Sequence, residues 1–324
     1  MEKKELRIVY MGTPEVAVTS LQHLVEGGYN VVGVVTAPDR PAGRGHKVRP
    51  SAVKEYAQSQ NIPLLQPVKL RDPEFLSELK AWDADLQIVV AFRMLPEEVW
   101  DMPRLGTFNL HGSLLPQYRG AAPIHWAVIN GEKETGVTTF FLDHEIDTGK
   151  IILQKKIPIK ETDNTGIIHD KSMEVGAELV TETVDALLKG DVQGVEQEHY
   201  VEGTLRGAPK LFRDNCRINW NQPVEQIYNF IRGLSPYPSA WSPMYIPTEK
   251  ETVDVKILKS EKVITVHNLQ VGTLQTDGKE YIHIAAIDGF IAIKELQLPG
   301  KKRLAVDELL RGYDMSNDFY MLTE

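Results

Sequence analysis

Short apolar runs alternate with helical patterns along the first 190 residues of the chain. Four runs rich in Val and Ile have the length of buried strands, and they cover residues 8–11, 31–36, 86–92 and 108–111. Helical patterns between and after them cover residues 14–26, 51–59, 73–81 and 122–130. This alternation predicts an α/β fold in which a Rossmann-like, mainly parallel sheet carries helices on both faces.

The regular pattern continues to residue 190 and then fades. Two further strands are predicted, over residues 135–142 and 151–157. A helix with an apolar face begins near Thr165 and ends at Gly190. We therefore predict a first domain over residues 1–190 and a linker over residues 191–209.

After the linker the pattern changes to short strands. A helix is predicted over residues 224–234, and the alternating positions that follow are typical of strands. Asp288-Gly289 joins apolar runs over residues 281–287 and 290–298, and this dipeptide favours a hairpin. These short strands predict a small, OB-like β-barrel in a C-terminal domain over residues 210–324.

Length and composition fit two globular domains. The 324 residues are 42% hydrophobic and 25% charged, and a typical domain has roughly 150 residues. The single cysteine, Cys216, excludes an internal disulfide framework and suits a reducing compartment. The apolar runs are too short to cross a bilayer, and the charged N-terminus lacks the apolar region of a signal peptide. We expect a cytoplasmic monomer that binds no membrane.

Charge is unevenly distributed along the chain. The 36 basic and 45 acidic side chains give a net charge of −9, which argues against binding nucleic acid through a general positive field. Residues 206–324 are neutral, so the acidic excess lies before them. Within that acidic part, residues 39–54 combine one acid with five cations, which are Arg40, Arg44, Lys47, Arg49 and Lys54. A cationic loop on an acidic body indicates a local contact with an anionic partner.

Asn109 and His111 are candidates for chemistry. They lie two residues apart at the carboxyl end of a predicted strand, so their side chains leave the same face, where open α/β sheets bind ligands. A carboxamide beside an imidazole can stabilise the oxyanion of an acyl transfer. The alternative is structural, with Asn109 bonded to loop backbone and His111 partly buried. The long irregular stretch that follows, up to Pro123, favours a functional role.

A second polar segment, residues 143–149, contains three carboxylates and a histidine. Its spacing matches no zinc motif, so no metal is expected, and we predict that Asp147 meets His111. Two other enzyme classes are disfavoured. A serine hydrolase using Ser113 is disfavoured because the sequence around this residue contains no G-x-S-x-G elbow. A nicotinamide dehydrogenase is disfavoured because the first turn contains Gly12 alone and not the G-x-G-x-x-G motif.

Together these segments resemble the folate-dependent formyltransferase family. The resemblance is carried by residues 11–14, 38–45, 109–116, 118–123 and 147–149. The cationic loop and the barrel-like C-terminal part are similar to the branch of the family that acts on charged tRNA. One segment departs from the family pattern, because Ala91 is followed by Phe92-Arg93-Met94 where Tyr-Gly is common. It borders the expected folate pocket.

The resemblance implies a reaction and a set of site residues. A formyl group would pass from 10-formyltetrahydrofolate, the co-substrate, to the α-amino group of methionine on initiator tRNA, giving the N-formylmethionyl-tRNA used in translation initiation. Asn109 and a protonated His111 would stabilise the oxyanion, and Asp147 would keep His111 oriented and charged. The residues implied at the folate site are Ser113, Leu114, Leu115 and Pro116. Those implied at the tRNA site are Arg40, Arg44, Lys47 and Arg49.

Two alternatives stay open on the sequence. A formyltransferase acting on a sugar nucleotide or on glycinamide ribonucleotide would share Asn109, His111 and Asp147 but would need no cationic loop. A catalytically silent RNA-binding protein would need the loop but not those three residues.

Overall fold

The computed structural model describes residues 2–42, 47–190 and 192–323, with the backbone alone for residues 40–42, 47 and 48. The chain divides into two compact units. The first unit consists of the chain up to Gly120 together with Thr135–Ile157 and Asp170–Gly207. The second consists of Ala121–Glu134, Pro158–His169 and the chain from Ala208 onward. Each unit is therefore built from stretches that are separate in sequence.

Helices and strands are numbered in chain order. The helices are α1 (Val16–Glu26), α2 (Ala52–Ser59), α3 (Pro73–Ala81), α4 (Glu97–Trp100), α5 (Pro123–Ile129), α6 (Thr165–Lys189), α7 (Val224–Leu234) and α8 (Val306–Leu310). The strands up to the end of the first sheet are β1 (Arg7–Gly12), β2 (Asn30–Val35), β3 (Arg40–Ala42), β4 (Lys47–Arg49), β5 (Leu64–Leu65), β6 (Leu86–Val90), β7 (Thr107–His111), β8 (Arg119–Gly120), β9 (Glu134–Phe141) and β10 (Ile151–Pro158). The later strands are β11 (Gly207–Ala208), β12 (Ala240–Ile246), β13 (Glu251–Ile264), β14 (Leu274–Thr276), β15 (Ile282–Ala285), β16 (Gly289–Gln297), β17 (Leu304–Ala305) and β18 (Tyr320–Met321). Single 3-10 turns cover Gln197–Tyr200 and Asp214–Cys216.

The sheet of the first unit has the strand order β10-β9-β7-β6-β1-β2-β5. The neighbouring strands from β5 to β7 pair in parallel, and β9 runs antiparallel to β7. Successive side chains of β1 enter different clusters, since Ile8 and Tyr10 belong to one and Val9 and Met11 to the other. Burial on both faces explains why these strands are continuously apolar. The predicted Rossmann-like, mainly parallel sheet is confirmed.

The second unit contains an antiparallel sheet with the order β14-β15-β16-β13-β12-β18. The two ends of this order meet, because Thr273 bridges to Tyr320 and the Met321 amide donates to the Gly272 carbonyl at 2.9 Å. Ile227 and Ile231 of α7 are buried in the same core as the strands. The predicted C-terminal barrel is thus confirmed as a nearly closed antiparallel sheet.

The predicted hairpin is confirmed by the antiparallel pairing of β15 and β16, with its turn one residue earlier than Asp288-Gly289. The hairpin turn between β15 and β16 centres on Ile287 and Asp288, because the Ala286 amide donates to the Gly289 carbonyl at 2.8 Å. Gly289 instead begins β16, where a side chain would overlap the Val263 carbonyl oxygen. The cationic loop contains β3 and β4 as an antiparallel pair. In the described part of the chain, no helix is long and apolar enough to cross a membrane.

Candidate active site

The site forms at the carboxyl end of β7, which carries two of the three predicted catalytic residues. Asn109 is half-buried and faces a cavity in the first unit, whereas His111, the last residue of the strand, is only 7% exposed. β7 lies between β6 and β9 in the sheet. The position agrees with the rule that open α/β sheets bind ligands at the carboxyl ends of their strands.

His111 is fixed by a backbone carbonyl. Its Nε2 lies 3.0 Å from the carbonyl oxygen of Tyr118, and because that oxygen can only accept, Nε2 must carry the hydrogen. The other ring nitrogen, Nδ1, points away from this carbonyl. Nδ1 lies 3.9 Å from Oδ2 of Asp147. The structure thus brings these two residues together as predicted, with a separation longer than a hydrogen bond.

Asp147 is held in an unusual conformation. Its φ of 58° lies in the left-handed region, which an aspartate occupies only at a cost of about 1 kcal/mol or more. The Gly120 amide donates to Asp147 Oδ2 at 3.0 Å, and Gln197 Nε2 donates to the Asp147 carbonyl at 2.8 Å. Two residues on, a side chain at Gly149 would overlap the Phe141 carbonyl oxygen. The Asp-Thr-Gly turn therefore fits this place because its glycine permits a close approach.

A cavity of about 370 Å³ opens beside Asn109 and Asp147. This volume lies in the range of ordinary small-molecule sites. The apolar lining residues are Val89, Phe92, Met94, Leu95, Pro96, Trp100, Leu142 and Ile146. The charged and histidine lining residues, apart from Asp147, are Arg71, Arg93, Glu97, Asp143, His144 and Glu145. The lining thus combines apolar and aromatic surface with charged and polar groups.

The segment that departs from the family pattern lies in this cavity wall. Phe92, Arg93 and Met94 all line the cavity, directly after Ala91, which has a φ of 47°. The Arg93 guanidinium donates to the backbone carbonyls of Pro67 and Val68, the latter at 2.9 Å. The wall is therefore tied to a neighbouring loop by a side chain that the common Tyr-Gly sequence would not supply.

The four residues expected at the folate site are not among those that line this cavity. Ser113, Leu115 and Pro116 are buried and Leu114 is partly buried, and these four are absent from the lining of the cavity. The Ser113 hydroxyl donates to the Gln117 carbonyl at 2.6 Å, and the Leu115 amide donates to Thr138 Oγ1 at 3.1 Å. This stretch turns inward because its backbone is bonded to β9, so it braces the end of β7. A buried, bonded Ser113 also argues against a serine nucleophile.

The predicted tRNA-binding cations are described only in part. Arg49 is exposed, Arg40 and Lys47 are described by their backbone alone, and Arg44 lies outside the described residues. Lys54, also in the cationic segment, pairs with Asp39 at 2.6 Å. Hydrogen bonding to Lys54 lowers the pKa of Asp39, so this pair stays ionised and the Lys54 charge is compensated.

Comparison with known proteins places the chain in a family. Residues 6–184 match the family model described as formyl transferase. Residues 210–314 match the model described as formyl transferase, C-terminal domain. The chain therefore belongs to the formyl transferase family, as its motifs indicated. Its curated relatives include the methionyl-tRNA formyltransferases of Bacteroides thetaiotaomicron and Bacteroides fragilis, 63% and 64% identical over 322 residues. These alignments cover 99% of this chain and 100% and 99% of the two relatives.

Solved structures share the fold at low sequence identity. WlaRD, a sugar 3N-formyl transferase crystallised with dTDP and 5-N-formyl-THF, matches with a TM-score of 0.63 at 21% identity, over 92% of this chain and 99% of that one. HypX from Aquifex aeolicus, in complex with tetrahydrofolic acid, matches with a TM-score of 0.61 at 19% identity, over 95% of this chain and 47% of that one. Both neighbours were solved with folate derivatives.

Sequence reasoning missed several residues that shape the site. Gln197 comes from the stretch predicted as a linker, and the Gly120 amide and Tyr118 carbonyl act through their backbone. Backbone contacts leave no trace in side-chain type. Gln197 could be recognised from the sequence only as a polar residue in an irregular stretch, and such residues are too frequent to indicate a functional site.

Proposed function

We propose that this protein transfers a formyl group from 10-formyltetrahydrofolate to the α-amino group of methionyl initiator tRNA. The main support for this proposal is that Asn109, His111 and Asp147 lie together at the carboxyl end of β7. Asn109 and Asp147 also line the cavity. The near-full-length match to methionyl-tRNA formyltransferases supports this substrate. Cytoplasmic location and a monomeric state belong to the same proposal.

The α-amino group of the methionyl acceptor needs little activation to act as a nucleophile. A free α-amine has a pKa of roughly 8, so a useful neutral fraction exists near pH 7. Attack of the amine nitrogen on the formyl carbon forms a C–N bond and turns the formyl oxygen into an oxyanion. The Asn109 amide and a protonated His111 stabilise that oxyanion. Collapse then breaks the bond to N10 of the folate and releases tetrahydrofolate.

Asp147 has two tasks in this scheme. Its carboxylate lies 3.9 Å from His111 Nδ1, and we assign it the task of keeping the imidazole oriented toward the oxyanion. It also lines the cavity, where it accepts the proton that the attacking amine gives up, directly or through water. That proton balances the one taken up by N10 of the leaving folate, so the reaction needs no outside acid or base.

We place the folate in the cavity beside Asn109 and Asp147. Phe92, Leu95 and Trp100 offer apolar and aromatic surface to a pterin ring, and polar groups at the rim suit its edge. We also assign Ser113, Leu114, Leu115 and Pro116 to the folate site, on the resemblance of residues 109–116 to the family; the Leu115 amide is bonded to Thr138 of β9. We assign the cations Arg40, Arg44, Lys47 and Arg49 to tRNA phosphates, and the C-terminal domain, residues 210–324, to tRNA binding rather than chemistry.

The test is a folate-dependent formylation assay with three acceptors in parallel. These are methionylated initiator tRNA, methionylated elongator tRNA and an amino-sugar nucleotide. We expect turnover with initiator tRNA to exceed that with the other two by orders of magnitude. Preference for the sugar nucleotide would replace the proposed acceptor and keep formyl transfer, whereas inactivity on all three acceptors would overturn the function.

A further inference from the structure

We infer that Gln197 is a positioning residue for Asp147, so that a segment outside the recognisable motifs takes part in assembling the active site. The inference rests on the proposed function. Gln197 is 1% exposed and begins the turn Gln197–Tyr200. It belongs to residues 191–209, which the sequence pattern predicts to be a linker.

The Gln197 side chain connects the two loops that meet at Asp147. Its Nε2 donates to the carbonyl oxygens of Asp147 and Gly149, at 2.8 and 2.9 Å. Its Oε1 accepts from Nε and Nη2 of Arg119, at 3.0 and 2.6 Å. Gly120, which follows Arg119 in the chain, donates its backbone N–H to Asp147 Oδ2 at 3.0 Å. A closed ring of hydrogen bonds therefore fixes both the backbone and the carboxylate of Asp147.

The partners determine how the Gln197 amide is oriented. A guanidinium only donates, so the atom facing Arg119 must be the oxygen, and backbone carbonyls only accept, so the atom facing them must be the nitrogen. Both ends agree on one orientation. The positive charge of Arg119 on the amide oxygen also polarises the amide and makes its N–H groups stronger donors.

The conformation of Asp147 explains why such a support is needed. A non-glycine residue in the left-handed region persists when its surroundings determine its position from several sides. Gln197 holds the Asp147 carbonyl directly and the carbonyl of Gly149, two residues further on, with the same amide. A small displacement of the Asp147 carboxylate would change its distance from His111 Nδ1, which is 3.9 Å in the structure. Misplacement on this scale can cost a large factor in rate.

Gln197 could instead serve stability alone, and Gln87 provides the matched control. Gln87 is likewise a glutamine of the first unit with 1% exposure, and its Oε1 accepts from Thr107 Oγ1 at 3.1 Å. It lies in β6 at the level of the first residue of β7, away from the carboxyl end of the sheet. Gln87→Leu therefore removes a buried amide from the same unit without touching the ring around Asp147.

The first experiment follows the Gly120 amide by NMR in the substrate-free protein. Because this amide donates to Asp147 Oδ2, its proton resonance reports directly on where the carboxylate lies. We expect Gln197→Leu to shift that resonance in the same direction as Asp147→Asn does, and Gln87→Leu to leave it in place. Gln197→Glu keeps an acceptor for Arg119 but no donor for the two carbonyls, so it should shift the resonance as well.

The second experiment is a kinetic double-mutant cycle with Asp147→Asn. We expect Gln197→Leu to lower kcat by about tenfold to hundredfold while KM for the formyl donor changes less than about threefold. In the Asp147→Asn background the same change should cost less than about threefold, because residues that act through one another are non-additive. Additive losses with an unmoved Gly120 resonance would overturn the inference. A shifted resonance in a protein that formylates no tRNA would overturn the proposed function and leave the positioning role standing.

Discussion

The two units of this protein bury polar side chains for different purposes. In the first unit His111, Ser113 and Gln197 are buried around the carboxyl end of the sheet, where Tyr118 and Asp147 also have left-handed backbone. In the second unit the buried polar side chains join elements of the scaffold. Arg232 on α7, for example, donates to Asn229 Oδ1 at 2.7 Å and to the Asp163 carbonyl at 2.8 Å.

The same physical device thus has two uses. A buried polar group is tolerated when its partners satisfy it, and the satisfied group then fixes whatever it touches. Around the carboxyl end of β7 it fixes the reacting side chains, so its loss there should reduce turnover more than stability. In the second unit it fixes a helix against the segment around residue 163, so its loss should reduce stability and leave turnover per folded molecule intact.

The largest expected effect is on the oxyanion pair of the first unit. Asn109→Ala and His111→Ala should each lower kcat by about 10²–10³-fold, because each removes one donor to the developing oxyanion. Steady-state formylation with methionylated initiator tRNA measures the loss, and folate binding should stay within a few-fold of wild type. A variant with near wild-type turnover would remove that residue from the mechanism.

Asp147→Asn should have the next largest effect. The amide keeps the shape of the turn and can still accept from the Gly120 amide, but it cannot take up the proton of the attacking amine. We expect kcat to fall by about 10²-fold, near the lower end of what general acid–base catalysis contributes. The thermal midpoint should stay close to wild type. Full activity in this variant would show that the Asp147 charge is dispensable.

In the second unit, Arg232→Met should change stability instead. It leaves the Asp163 carbonyl and the Asn229 side chain without their buried donor, which should lower the free energy of unfolding by about 2–4 kcal/mol. The control is Arg311→Met, since that arginine is exposed and pairs only with Asp307 one turn away at 3.3 Å. Denaturant unfolding separates the two variants. A kcat loss without destabilisation would break the contrast between the units.

The smallest effect is expected at the cationic loop. Arg44→Ala should raise KM for tRNA by a few-fold at physiological salt and reduce the slope of log affinity against log salt by about one unit, as one lost phosphate contact does. Arg104→Ala is the control, because it removes an exposed cation near the start of β7. Identical salt curves for all three proteins would make the loop irrelevant to tRNA and favour a small acceptor.

The fold class and the central motifs could be predicted because they depend on local pattern. Val9 and Met11 pack on one face of the sheet while Ile8 and Tyr10 pack on the other, so β1 reads as one apolar run and indicates a buried parallel strand. The two-residue spacing of Asn109 and His111 likewise sets a shared face in any strand. These features need no knowledge of distant residues.

Other features were decided only when the chain folded. How the stretch Ser113–Pro116 is held could not be predicted, because it depends on hydrogen bonds to Thr138, a residue of β9. The cavity is lined mainly by residues that follow β6 and β9, and these meet because both strands flank β7 in the sheet. Gln197 reaches Asp147 across 50 positions of sequence. The sequence by itself determined the strands, the motifs and the family, since these follow from nearest neighbours and side-chain type. The tertiary structure alone decided which backbone carbonyls and amides complete the site, because backbone groups are chemically alike at every position and only the fold selects among them.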